Sequence, residues 1–156
     1  MRIITIDKNV ADAMHQLDPE VLLNKQGRPC LLVLKLRYNG RKQDFAVPFR
    51  SNIPPAEQKE NYFALPPRHT TRPRHRHGLH FCKIFPIRKK YIQKFYIDNN
   101  PGMQRAEKII QKNEKQIINQ AQAYLDKYSL GLRSPYATNI DLLLQYLEDL
   151  EQEKVA

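Results

Sequence analysis

A predicted β-hairpin constrains the fold of this chain more than any other sequence feature. Residues 30–38, CLLVLKLRY, are apolar in their first half and alternate in their second half, which predicts one strand. Asn39-Gly40 follows directly, and this dipeptide is a strong signal for a two-residue hairpin turn. Residues 44–49 then predict the return strand. Ser51 is therefore expected just beyond the end of a core strand.

The rest of the β-rich half, about residues 1–97, carries weaker signals. The opening MRIITI is β-branched and alternating, which predicts a first strand, and residues 7–19 predict a short helix. Residues 53–76 are rich in proline and lack periodicity, as is typical of a long irregular loop. Residues 78–87, GLHFCKIFPI, return to strand character.

The helical half covers about residues 98–156. Residues 101–128 place apolar side chains at helical spacing, and Pro101 suits the first turn of a helix. A second helix is predicted to open at residues 139–141. A β-rich half followed by two helices predicts an α+β fold, and the length of 156 residues predicts a single domain over 1–156.

The chain is strongly basic, with a formal net charge of +10 and a pI of about 9.7. A domain this basic usually has a polyanionic partner, either nucleic acid or an anionic membrane surface. No apolar stretch approaches the roughly 20 residues that a membrane helix needs, and the N-terminus does not resemble a signal peptide. We therefore expect a cytoplasmic protein, with Cys30 and Cys82 as free thiols because neither belongs to a metal-binding pair.

The positive charge is concentrated in residues 61–97, which contain no Asp or Glu and interleave cations with Tyr and Phe. Cations that contact phosphates, beside rings that stack on unpaired bases, are what single-stranded RNA binding requires. The same role extends to cations of the hairpin and of the segment before it. The predicted RNA-binding residues are Arg28, Lys35, Arg37, Arg41, Arg72, Arg74, His75, Arg76, His77, Lys83 and Lys89.

The histidines of this stretch suggest catalysis. RNA is cleaved without a metal when its own 2′-hydroxyl attacks the adjacent phosphate, and the protein then supplies a base, an acid and cations. His80, at the start of a predicted strand, is the best placed to act as acid or base. The spacing His75-x-His77-x-x-His80 also suggests metal ligands, but an arginine interrupts it and no carboxylate or cysteine matches it. We expect neither a metal site nor a cofactor.

At this point the layout resembles the toxin component of type III toxin–antitoxin systems, the ToxN/AbiQ/TenpN-like endoribonucleases. The resemblance rests on the strand LLVLKL, on a return strand that ends Pro-Phe-Arg-Ser at Ser51, and on GLHFCKIFPI. It extends to the helical segment QRAEKIIQKNEKQI, and together these matches cover most of the chain. The family's functional serine falls on Ser51. Its preceding threonine is Arg50 here, its following lysine falls near Ile53, and its upstream tyrosine has no clear match.

The resemblance implies a compact, twisted antiparallel sheet core with flanking helices, similar to CcdB/MazF-like toxins. It implies metal-independent cleavage of single-stranded cellular or phage mRNA, which leaves a 2′,3′-cyclic phosphate. The implied partner is an RNA antitoxin of pseudoknot repeats, often in a closed ring of alternating toxin and RNA. The biological role would be phage defence or locus maintenance.

Three readings remain open from the sequence. In the endoribonuclease reading, Ser51 positions or protonates the scissile phosphate, Arg50, Arg28 and Lys83 stabilise the phosphorane, and His80 is an acid or base. The alternative is a non-catalytic RNA-binding regulatory module that uses the same groove. A DNA-binding regulator is the weakest reading, because the helical half contains no helix-turn-helix pattern.

Overall fold

The computed structural model describes residues 1–23 and 30–155, in the order of a mixed α+β fold. The strands are β1 Arg2–Ile6, β2 Leu31–Tyr38, β3 Arg41–Ile53, β4 Tyr62–Leu65, β5 Arg76–His80, β6 Phe85–Pro86 and β7 Ile92–Lys94. The helices are α1 Lys8–Leu17, α2 Pro101–Lys112, α3 Glu114–Ser129 and α4 Ile140–Val155. Short 3₁₀ turns cover Lys59–Asn61, Phe81–Lys83 and Lys89–Tyr91.

The strands form one antiparallel sheet in the order β4-β5-β3-β2-β1-β7, and β6 pairs with β3 off this path. The predicted hairpin is confirmed, because β2 and β3 pair from Leu31 opposite Pro48 to Tyr38 opposite Arg41. Its turn has positive φ at both central residues, 53° at Asn39 and 74° at Gly40. This is the geometry that matches the right-handed twist of the strands.

Both faces of the sheet are covered, which explains the nearly continuous apolar start of β2. Leu32 and Leu34 belong to one buried cluster with side chains of α2 and α3. Leu31 belongs to a second cluster with side chains of α1 and α4. Successive side chains of a strand point to opposite faces, so helices pack on each side of β2. The α+β fold with flanking helices is therefore confirmed.

The helix boundaries follow from local capping. Asp7 caps α1, since its carboxylate accepts from the amides of Asn9 at 2.9 Å and Val10 at 3.2 Å. Asn100 caps α2 by accepting from the Met103 amide at 3.1 Å. The single helix predicted over 101–128 is wrong, because the chain divides at Asn113 into α2 and α3.

Two predictions about the middle of the chain are also wrong. Ser51 does not lie beyond its strand, because β3 continues to Ile53, where β5 supplies the backbone partners for a polar continuation. The segment 53–76 is not all irregular, because it contains β4, which pairs with β5 from Tyr62 opposite His80 to Leu65 opposite His77. Within the described ranges, no helix is long and apolar enough to span a membrane.

Candidate functional site

The second half of β3 contains a β-bulge at Ser51. Arg50 pairs with Gly78 of β5, and Ile53 pairs with Arg76. Three steps along β3 therefore match two steps along β5, so that Ser51 and Asn52 together lie opposite His77. A bulge bends the strand and re-aims its side chains, and bulges are frequent beside active sites. The predicted catalytic pair Arg50 and Ser51 thus lies at a local irregularity of the sheet.

A chain of three polar side chains lies beside the bulge. The Nη1 atom of Arg50 is 3.3 Å from Nδ1 of His80. Because a guanidinium only donates hydrogen bonds, Nδ1 must be the acceptor and the proton of the neutral ring is on Nε2. That nitrogen is 3.6 Å from Oε2 of Glu57, which is too long for a hydrogen bond but close enough for electrostatic attraction. The ring of His80 therefore holds Arg50 on one side and faces a carboxylate on the other.

The environment of His80 keeps its ring neutral. The residue is only 2% exposed. Burial lowers its pKa to about 3, and the charges of Arg50 and Lys83 act in the same direction. At neutral pH the imidazole is therefore an uncharged acceptor, and it lies behind Arg50 and not in contact with solvent.

A cation-rich segment is attached directly to the bulge by Asn52. The Asn52 side chain donates to the Thr70 carbonyl at 3.2 Å and accepts from the Arg72 amide at 2.7 Å. Within the segment, Arg74 has a φ of 66° and His75 Nδ1 contacts the Pro73 carbonyl at 3.0 Å. The side chains of Arg72, Arg74 and Arg76 are exposed, and His75 is half-buried. These four predicted RNA-binding residues therefore lie on the segment that is hydrogen-bonded to Asn52 of the bulge.

Other predicted RNA-binding cations lie at the far end of β3. Lys35, Arg37 and Arg41 are exposed near the hairpin turn, and Lys89 lines a groove with Arg41. Arg41 lies nine residues before Arg50 in β3, a separation of roughly 30 Å for an extended strand. The structure therefore does not bring these four residues to the bulge, and the groove that Arg41 and Lys89 line also contains Asp44, Glu148 and Glu151.

Two further predicted contact residues are buried. Lys83 is 5% exposed, and its Nζ donates to the Tyr136 carbonyl at 2.7 Å and to Oε2 of Glu20 at 3.3 Å. His77 is 4% exposed, with Nδ1 at 2.9 Å from the Pro66 carbonyl. Burial lowers the pKa of the His77 ring, so it is neutral as well. Arg28 lies outside the described residues.

Glu57 and Asn52 carry no signal in the sequence that marks them as site residues. Both belong to the polar stretch after the apolar run of β3, where no periodicity or motif marks them. The absence of carboxylates from residues 61–97 is real in sequence, but Glu57 and Glu20 reach this stretch from elsewhere and contact His80 and Lys83. Glu57 is identified as a neighbour of the site only by its position 3.6 Å from the His80 ring.

The titratable side chains do not form a metal site in the part of the chain that the structure describes. No group of three His, Cys, Asp or Glu residues there converges closely enough to hold an ion. The cluster beside the bulge consists instead of one cation, one neutral imidazole and one carboxylate, and Ser51 is the next residue of β3 after the cation. The Arg50 guanidinium of this cluster can bind a phosphate and stabilise negative charge on it.

Comparisons with known proteins identify the fold. The chain matches no family model, and no curated protein is similar to it in sequence. Its fold matches a solved structure concerned with a processed non-coding RNA that regulates a bacterial antiviral system. That match has a TM-score of 0.74 and 16% identity, and it covers 96% of this chain and 98% of the other.

Two further solved structures share the fold. One concerns bacterial type III toxin–antitoxin systems in which a non-coding RNA pseudoknot selectively inhibits the toxin, with a TM-score of 0.74, 18% identity and 96% of both chains covered. The other is AbiQ, a lactococcal anti-phage endoribonuclease of the type III toxin–antitoxin system, with a TM-score of 0.73, 14% identity, and 97% of this chain and 98% of that chain covered. The resemblance inferred from sequence is confirmed at the level of structure: the chain has the fold of ToxN/AbiQ type III toxin–antitoxin proteins.

Proposed function

We propose that this chain is an endoribonuclease toxin of a type III toxin–antitoxin system, which cleaves single-stranded RNA at the β3 bulge. The observation that carries the proposal is the bulge itself, where Arg50 and Ser51 lie beside a segment of exposed arginines. A fold shared with an anti-phage endoribonuclease over nearly the whole chain supports the same conclusion.

The proposed reaction requires no metal, because the nucleophile belongs to the substrate. The 2′-oxygen of the RNA transfers its proton to a water molecule and bonds to the adjacent phosphorus, and the bond from phosphorus to the 5′-oxygen breaks. The 5′-oxygen takes up a proton from water, and the other product is a 2′,3′-cyclic phosphate. Between these steps the phosphorane carries extra negative charge, which preorganised donors stabilise more strongly than they stabilise the substrate.

Arg50 supplies the charge for this step, and Ser51 supplies a neutral donor. The guanidinium carries its charge at any relevant pH and presents several donors in a fixed plane, which suits two phosphate oxygens at once. The Ser51 hydroxyl donates a further hydrogen bond to the scissile phosphate. Arg50 thereby replaces, in this chain, the threonine that the resembled family has before its serine.

His80 and Glu57 act through Arg50. A long arginine side chain loses conformational freedom when it is held in one place, and a buried acceptor that holds it in advance lowers that cost at the moment of reaction. His80 Nδ1 provides that acceptor, and Glu57 faces the opposite nitrogen of the ring. We therefore assign His80 as a positioning residue, while its earlier assignment as acid or base stays a prediction.

The partner that controls the activity is proposed to be an RNA antitoxin with pseudoknot repeats, in the cytoplasm. Such an RNA covers the bulge and the arginines beside it, so substrate is excluded while the complex is intact. Arg41 and Lys89, at the hairpin end of the sheet, would give a folded RNA another contact beyond the reach of one scissile phosphate. That arrangement suits a closed assembly of alternating toxin and RNA, acting in phage defence or locus maintenance.

The test is induction of the chain with and without its flanking DNA, with growth and RNA integrity followed over time. We expect growth arrest together with RNA fragments that end in 2′,3′-cyclic phosphate. The purified protein should produce the same fragments in the presence of EDTA. Arg50→Ala and Ser51→Ala should each lower the cleavage rate by about 10²–10³, the cost of removing one preorganised donor. Arg41→Ala, at the other end of β3, is the matched control and should cleave at nearly the wild-type rate.

A non-catalytic RNA-binding module is the second candidate, and one observation favours it. His80, the best catalytic candidate in the sequence, is buried and neutral. If the purified chain binds RNA tightly but leaves it intact, the module is correct and the nuclease proposal is wrong. Full cleavage by both Arg50→Ala and Ser51→Ala would place the chemistry elsewhere.

A further inference from the structure

Residues 68–75 form an arginine loop between β4 and β5, and this loop is fastened to the sheet at one residue. Some of its hydrogen bonds are internal, such as that from the Thr71 amide to the Arg68 carbonyl at 2.9 Å. Among the residues that the structure describes, its only hydrogen bonds to the rest of the chain are those to the Asn52 side chain. That side chain therefore holds the arginine loop beside the bulge.

The Asn52 side chain binds the backbone of the loop at two points. Nδ2 donates to the Thr70 carbonyl at 3.2 Å, and Oδ1 accepts from the Arg72 amide at 2.7 Å. A carboxamide can make both bonds because it presents a donor and an acceptor on one planar group. Since both partners are backbone atoms, these contacts fix the course of the loop and leave the Arg72 side chain exposed.

The two contacts place the loop next to the proposed cleavage residues. Asn52 follows Ser51 directly, and both belong to the bulge. The usual Cα separation of about 3.8 Å and the 2.7 Å hydrogen bond put the Arg72 amide within roughly 10 Å of the Ser51 Cα atom. An arginine that starts from this position is suited to a phosphate next to the scissile one.

The backbone at Arg74 is an independent sign that the loop serves binding. Its φ of 66° lies in the left-handed region, which is unfavourable for a residue with a Cβ atom and open to glycine. The Arg74 side chain is exposed, and it forms no ion pair within the described ranges. A strained conformation at a residue whose charge the fold does not use indicates a role in binding another molecule.

We propose that Asn52 is a positioning residue, which holds the arginine loop so that Arg72 and Arg74 bind phosphates next to the one at Ser51. This proposal rests on the RNA-directed function above. The loop contains no carboxylate, so its cations repel one another and favour many conformations when nothing holds the backbone. RNA that bound such a loop would bear the entropic cost of ordering it. The Asn52 contacts remove that cost before RNA binds.

The test is the affinity of the full chain for a short single-stranded 2′-O-methyl RNA, which cannot be cleaved through its 2′-oxygen, measured by fluorescence anisotropy. Asn52→Leu keeps the approximate shape of the side chain without either hydrogen bond, and it should weaken binding by about tenfold. Gln122→Leu is the matched control, because Gln122 bonds the amide and the carbonyl of Arg37, both at 2.9 Å, near the hairpin turn. That variant should change the affinity by no more than about twofold.

A double-mutant cycle shows whether Asn52 acts through the arginines of the loop. In a chain that already carries Arg72→Ala and Arg74→Ala, adding Asn52→Leu should weaken binding by no more than about twofold, since the two cations to be positioned are gone. A loss of about tenfold in that background as well would overturn the proposal. So would equal effects of Asn52→Leu and Gln122→Leu, or an unchanged affinity of the Asn52→Leu chain.

Cleavage of unmodified RNA by the same proteins separates this proposal from the proposed function. The loss in Asn52→Leu should fall on KM, by about tenfold, and not on kcat, because the donors of Arg50 and Ser51 remain. A lower kcat with an unchanged KM would make Asn52 part of the cleavage step and overturn its positioning role. If the chain cuts no RNA, the nuclease proposal is wrong, while the affinities for 2′-O-methyl RNA still decide the role of Asn52.

Discussion

At the scale of single residues, the contact between Arg50 and His80 depends most on its surroundings. A protonated imidazole 3.3 Å from a guanidinium would be repelled by it, and Lys83 adds to the repulsion. Glu57 is the neighbouring charge that opposes this effect. Because the ring is also buried, the neutral form prevails. The geometry at Arg50 therefore depends on a histidine that does not take up a proton.

This arrangement makes the folded chain sensitive to acid. The pKa of His80 is about 3 in the folded chain, against about 6.5 for an ordinary histidine. Between these two values the unfolded chain binds a proton at His80 that the folded chain does not bind. The residue therefore has no effect on the free energy of unfolding above about pH 6.5, and it lowers that free energy progressively as the pH falls from about 6.5 towards about 3. At pH 5 the loss in unfolding free energy is about 2 kcal/mol from this residue.

The measurement is the free energy of unfolding by urea at pH 7.5 and at pH 5, for the wild type and for His80→Asn. The asparagine oxygen can still accept from Arg50 but does not titrate. The wild type should lose about 2 kcal/mol more than His80→Asn over this interval. The carboxylates and His77 are common to both proteins and cancel in the comparison. Equal losses would show that His80 is protonated alike in both states.

At the scale of elements, β5 depends on a glycine. A Cβ atom at Gly78 would lie 2.2 Å from the Phe63 carbonyl oxygen, and that oxygen belongs to the neighbouring strand β4. The contact is with backbone, so it cannot be relieved by a side-chain rotation. The close pairing of β4 with β5 thus requires the absence of a side chain at this position.

Gly78→Ala should therefore destabilise the chain by about 1–3 kcal/mol, the range for forced overpacking. The matched control is Gly102→Ala in α2, where the nearest atom to the new Cβ is Oδ1 of Asn100 at 3.6 Å. That variant should be neutral or more stable by up to about 1 kcal/mol, because alanine favours the helix. Denaturant unfolding of both proteins checks the difference. A Gly78→Ala protein as stable as the control would contradict the backbone clash.

Local signals predicted the elements that local chemistry determines. The turn at Asn39-Gly40 and the start of α2 at Pro101 needed only neighbouring residues, and both are observed. The end of β3 could not be predicted from neighbouring residues, because its polar continuation through Ser51 is stabilised by β5, more than twenty residues later in the chain. The strand β4 was not predicted for the same reason, because its four residues form a strand by pairing with β5.

The break at Asn113 is a further case. Its backbone amide contacts the Ile109 and Ile110 carbonyls at 3.1 Å, and its side chain donates to Ile109 at 2.8 Å. Such local hydrogen bonds compete with a continuous helix, but the apolar spacing on either side does not reveal them. For the candidate site, the sequence named Arg50, Ser51 and His80 together, and the structure places Arg50 beside His80. The sequence did not separate the buried rings from the exposed cations, nor the cations near the bulge from those near the hairpin turn.

At the scale of the whole molecule, exposed cations lie both near the bulge and near the hairpin turn of the sheet. Arg72 is hydrogen-bonded through its amide to Asn52 of the bulge and Arg74 follows it in the chain, whereas Arg41 lies at the other end of β3. A short single-stranded RNA bound at the bulge should therefore contact only the first group. A folded RNA antitoxin should contact both.

Salt dependence separates the two cases. For a short RNA, Arg72→Ala and Arg74→Ala should each reduce the slope of log affinity against log salt by about 0.7, the value for one phosphate contact in single strands. Arg41→Ala should leave that slope unchanged for the short RNA and reduce it for the antitoxin. Filter binding or anisotropy at several salt concentrations measures both slopes. Equal effects of all three variants on the short RNA would place the RNA across the whole sheet.

The division of β3 between two partner strands also has a consequence for when activity first arises. Its first half closes onto β2 through a two-residue turn, a step with little loop entropy to overcome. Its second half, with Arg50 and Ser51, must wait until β5 has been synthesised and has joined the sheet. A ribosome that stalls before His80 would release a hairpin without the residue that holds Arg50. We therefore expect a nascent chain to be harmless until at least the first half of its 156 residues has been synthesised.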